Sequence, residues 1–139
     1  MSVTKRIFGA VVSTAIIFGF YIDASGKTSR AGADWLGELE IVEALIAKSL
    51  KEADPPALKS WIVEAMRLIP LAGELPEPAN VHCSMAAQSL ANFTRDVFMT
   101  DAGRGKSAGR GDYADYRRSL TSCEKAVGHR IKRRLDVRF

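Results

Sequence analysis

Lys5 and Arg6 stand in front of sixteen residues without a charge, Ile7 to Ile22 (IFGAVVSTAIIFGFYI), and Asp23 closes the run. A basic pair followed by an apolar stretch of this length has the layout of a secretory signal. As a cleaved peptide its nearest processing point follows Ala24, although Ile22 then occupies a place where small residues are preferred. Ala31-Gly32-Ala33 suits the small-x-small rule better but lies well past the apolar run. As an anchor the segment is short, since sixteen helical residues reach about 24 Å against about 30 Å of hydrocarbon. Under both readings the basic pair stays in the cytoplasm and the remainder of the chain crosses. The sequence therefore predicts a signal peptide or signal anchor over 1–24, a linker over 25–33 and a folded domain over 34–139. The expected location is the periplasm or the exterior, with residues 7–22 as the tether to the inner membrane wherever the segment is kept.

The remainder of the chain is long enough for one core and too short for two. Four amphipathic stretches are expected. The first opens at Asp34, a candidate N-cap, and aligns Trp35, Leu39, Val42, Ile46 and Leu50. It stops before Asp54-Pro55-Pro56, where Asp54 can cap the second helix and Pro55 can occupy its first turn. That helix carries Leu58, Trp61, Ile62, Ala65, Leu68 and Ile69 and is expected to end at Pro70. The third runs from about Asn80 to Thr100 with Cys83, Ala86, Leu90, Phe93 and Val97 in phase. After a glycine-rich turn, Gly103 to Gly111, the last helix is expected to carry Tyr113, Tyr116, Leu120, Cys123, Val127, Ile131 and Leu135. Strand signals are scarce. The expected architecture is all-α, a small bundle of about four amphipathic helices behind an N-terminal apolar helix.

Cys83 and Cys123 are the only cysteines, and both lie on apolar stripes of consecutive helices. In an antiparallel pair joined by a turn near residue 106 their sulfurs come to similar heights. In an oxidising compartment that predicts one disulfide. Closing a loop of this size would stabilise the fold by about 4 kcal/mol on the chain-entropy account.

Reactive chemistry finds little support in the sequence. His82 and Cys83 are adjacent and diverge by about 100° around a helix, and Cys123 and His129 are six residues apart, so no zinc site is expected. Gly26-Lys27-Thr28 and Gly105-Lys106-Ser107 lack the earlier glycine that a phosphate loop requires. Glu38, Glu40, Glu43, Glu52 and Glu64 read as solvated faces of amphipathic helices. No cofactor is implied and no enzymatic activity is expected.

Charge is unevenly distributed. Residues 31–103 carry five basic and eleven acidic side chains, whereas 104–139 carry eleven basic and four acidic. Arg130, Lys132, Arg133, Arg134 and Arg138 crowd the last ten residues and are the candidate contacts for an anionic partner. That partner is expected to be another protein of a bacterial-type cell envelope, or an anionic lipid surface; nucleic acid enters only for a cytoplasmic chain. The expected role is that of a non-enzymatic binding or accessory protein working by protein–protein contact, as an inhibitor, an immunity-type factor or an assembly subunit. The alternative is a basic-tailed protein that binds anionic membrane or nucleic acid.

Overall fold

A computed structural model describes residues 30–100 and 109–138. The apolar segment over 7–22 and most of the glycine-rich turn lie outside the described residues. Within them the chain forms four helices and no strand: α1 (Arg30–Lys51), α2 (Pro55–Gly73), α3 (Ala79–Thr100) and α4 (Arg110–Val127). A strap without regular secondary structure, 128–138, comes after α4.

Two capping predictions hold. The Asp54 carboxylate accepts the Ala57 N–H at 3.3 Å, satisfying an otherwise orphaned amide, and Pro55 and Pro56 open α2. The linker before it is tight enough to put Ala53 at φ 51°, a left-handed conformation that costs a residue with a Cβ about 1 kcal/mol.

Helix boundaries differ from expectation at three places. α1 is already helical at Arg30, four residues ahead of Asp34. Gly32 lets α1 pass close to α4 here: a Cβ there would meet the Val127 Cγ1 atom at 2.7 Å. α2 continues through Pro70 to Gly73. Pro70 is exposed, and burial of Ala72 and Leu75 just beyond it keeps the last turn against the core despite the missing N–H. The third difference is the largest. α4 stops at Val127, where Gly128 takes φ 81° and donates its N–H to the Glu124 carbonyl at 2.8 Å. Ile131 and Leu135 are buried as expected, but on irregular chain rather than helix. A spacing of four fits a helical period without requiring one, so those two residues could not settle the conformation. Gly128 decides it, by closing the helix in the left-handed manner common at C-termini.

Neighbours in sequence pack as neighbours in space. α3 lies between α2 and α4, and α1 leans mainly on α2. The Trp35 indole N–H, early in α1, reaches the Leu68 carbonyl, late in α2, at 3.0 Å, so these two run antiparallel. α3 approaches closely because its buried face is built from small residues, Ala79, Cys83, Ala86, Ala87 and Ala91. The core between the helices includes Leu36, Leu39, Ile46, Leu68, Leu90, Phe93, Tyr116 and Leu120, all fully buried.

Candidate functional site: a strap clamped by carboxylates

α3 and α4 are joined at one end by the two cysteines, whose sulfurs stand 1.95 Å apart, at disulfide-bonding distance, with Cα atoms 4.8 Å apart. Such a pair is compatible with an oxidising compartment. At the other end the Phe93 and Tyr113 rings pack with centroids 5.3 Å apart. The antiparallel register expected from the positions of the cysteines is the observed one.

α1 and α4 meet differently. The strap runs back along α4 and bridges it to α1, and its backbone amides are taken by side-chain carboxylates rather than by another strand. The Ile131 N–H donates to Glu124 at 2.8 Å and the Lys132 N–H to Glu40 at 2.7 Å. Arg134 and Leu135 both donate to one oxygen of Glu43, at 2.6 and 3.0 Å. Further along, the Val137 N–H donates to the Tyr113 hydroxyl at 3.3 Å, and that hydroxyl donates to the Leu135 carbonyl at 3.0 Å. Ile131 and Leu135 press into the core beneath this ladder, and each buried side chain contributes about 2 kcal/mol.

Glu43 is the centre of the arrangement. It is only 1% exposed, and a buried carboxylate is tolerable only when its oxygens are hydrogen-bonded. One oxygen takes the two strap amides; the other accepts the Tyr116 hydroxyl. Burial, with the Glu43 carboxylate beside it, pushes the Tyr116 phenol well above its ordinary range, so the hydroxyl keeps its proton and remains a donor. Glu124, also buried, holds the Arg133 guanidinium as well as the Ile131 amide. The expectation that Glu40 and Glu43 sit on a solvated face is thus overturned for Glu43, and Glu40 is spent on the strap. A signal was present: Leu39, Glu43, Ile46 and Leu50 are in helical phase, as are Tyr116, Leu120, Glu124 and Val127, so two carboxylates interrupt apolar stripes.

The strap disposes the expected cations in two ways. Arg133 turns inward to Glu124, with a further contact from its Nη2 to the Thr121 hydroxyl at 3.3 Å. Arg130, Lys132, Arg134 and Arg138 are exposed. Asp136 is exposed among them. Clamping the backbone through amides leaves these side chains available to a ligand.

Two further clefts flank the strap. One, of about 720 Å³, lies where α4 turns into it and is lined by Lys125, His129, Arg130 and Arg133 together with Glu124. The other, also about 720 Å³, lies between the strap, the second half of α1 and the end of α3. At the start of α4, Asp112 faces Asp96 of α3, and the shared hydrogen bond, partial burial and mutual repulsion raise the Asp112 carboxyl to about 6. Among the described residues no cluster of three or more His, Cys, Asp or Glu side chains is placed to hold a metal ion, and no helix is long and apolar enough to cross a membrane. Comparison with protein-family models, with curated proteins and with solved structures finds nothing that matches this chain.

Proposed function

We propose that the chain is a non-enzymatic, exported binding protein of the cell envelope that works by contact with another protein, and that the strap is its contact face. The observation that carries this reading is the exposed row Arg130, Lys132, Arg134 and Arg138 on a backbone pinned by buried and half-buried carboxylates. A cationic row held in one geometry loses little conformational freedom on docking, which favours a partner with an ordered acidic surface. Export is supported by the N-terminal basic and apolar pattern together with the two sulfurs at bonding distance. Inhibitor, immunity-type factor and assembly subunit are all roles such a face can fill.

The test is affinity capture from solubilised envelopes, run with the native chain and with a variant in which Arg130, Lys132, Arg134 and Arg138 are all changed to Gln. The expected result is one partner protein retained at low salt by the native chain and lost with the variant. Repeated capture of nothing, or equal capture by both, counts against the proposal. The same cationic row supports a second reading, binding to anionic membrane or to nucleic acid. It predicts steeply salt-dependent binding to phosphatidylglycerol vesicles or to a DNA duplex that the same variant abolishes.

A further inference from the structure

The groove between the strap, the second half of α1 and the end of α3 joins two chemistries. Its floor is apolar: Ala47 and Leu50 of α1, Val97 of α3 and Val137 of the strap are half-buried and packed against the core. Its rim is cationic, with Lys48, Lys51, Arg134 and Arg138 set against the single carboxylate of Asp136. Lys48 lies 4.0 Å from Glu52, and Lys51 sits in the last turn of α1, where a cation complements the exposed carbonyls. Arg134 and Arg138 have no acidic partner among the described residues, and both line the groove.

A volume of about 720 Å³ falls within the usual span of small-molecule sites, which pair an apolar lining with a few polar groups that fix orientation. We propose that this groove binds one single-chain anionic amphiphile, an unbranched hydrocarbon chain ending in a carboxylate or phosphate. The chain lies on the Ala47, Leu50, Val97 and Val137 floor, and the headgroup is held by the guanidinium of Arg134 or Arg138, whose fork matches either anion. This inference goes beyond the proposed protein contact, and its test involves no protein partner, so the two fail separately.

The test uses the full-length chain and dodecanoate below its micellar concentration, with the methyl resonances of Val97, Leu135 and Val137 followed by NMR and the heat of binding measured in parallel. The expected result is saturable one-to-one binding that moves those methyls. Changing both Arg134 and Arg138 to Gln weakens it by about tenfold, the loss of one charge-assisted pair. Val97→Asp abolishes it while the amide spectrum of α1 and α4 stays folded. Dodecyl maltoside, with the same chain and a neutral head, binds at least about tenfold more weakly, and acetate alone moves nothing. Equal affinity for dodecanoate and dodecyl maltoside, binding unaffected by both variants, or unmoved methyls would each overturn the proposal. Binding to phosphatidylglycerol vesicles without any methyl response to dodecanoate would also overturn it, by assigning the rim to a bilayer.

Discussion

The two sides of α4 are closed by opposite means. Toward α3 the seam is apolar and close-packed, with a sulfur pair at one end and the Phe93–Tyr113 contact at the other. Toward α1 the helices touch at Gly32 and Val127, and the strap bridges them beyond that point through Glu40, Glu43 and Glu124. Apolar burial is non-directional and tolerates small shifts, whereas a carboxylate that accepts two backbone amides fixes a segment's register. The first seam therefore supplies stability. The second supplies position, and it positions the most basic part of the chain.

The comparison can be broken from either side. The largest effect is expected at the sulfur pair: Cys83→Ser with Cys123→Ser should cost about 4 kcal/mol in denaturant unfolding, and reductant should have the same effect on the native chain. Slightly less, about 3 kcal/mol, is expected for Glu43→Ala, which strands the Tyr116 hydroxyl and two strap amides. The two should also differ in kind. The Glu43 variant should expose the bond after Arg134 to trypsin while α3 and α4 remain helical, and the cysteine variant should lose cooperativity throughout. Next comes Gly32→Ala, expected to cost about 2 kcal/mol by forcing α1 away from Val127.

The smallest effect carries a pH signature. Asp112 is raised to about 6 when folded, against an ordinary value of 3.8, so the folded chain holds more protons than the unfolded one between those limits. Stability from this group is therefore greatest below pH 3.8 and is lost as pH rises through 6. Asp112→Asn should stabilise the chain at about pH 7.5 by about 1 kcal/mol or less, after allowance for solvent screening, and by nothing at about pH 3.5. Thermal melts at the two pH values check it.

Much of the bundle was legible in the sequence, because helical phase and capping chemistry are local. Asp54 with its two prolines located the start of α2, and the two in-phase cysteines located the α3–α4 register. The strap was not legible for an equally physical reason: Ile131 and Leu135 are four apart, a spacing that fits a helix without requiring one, and only Gly128 ends it. The site was half legible. Its cations announced themselves by density, but Arg133 proved to be an internal ion-pair partner rather than part of the outward row. Glu43 was read as solvated because a carboxylate's usual place is the surface, and Glu124 was not singled out. The phase of Glu43 with Leu39 and Ile46, and of Glu124 with Leu120 and Val127, was the available clue. The donors to Glu43 lie some ninety residues away, at Arg134 and Leu135, which no local pattern encodes.

Hydrogen exchange along the strap addresses the clamp directly, since the amides of Ile131, Lys132, Arg134, Leu135 and Val137 are bonded to side chains and those of Arg130, Arg133, Asp136 and Arg138 meet no such acceptor among the described residues. The expected pattern is five slowed amides interleaved with fast ones, the slowest at Leu135, and a collapse of that contrast in Glu43→Ala. Uniformly fast exchange from 129 to 138 in the native chain would mean that the cationic row has no fixed geometry, and would contradict the account.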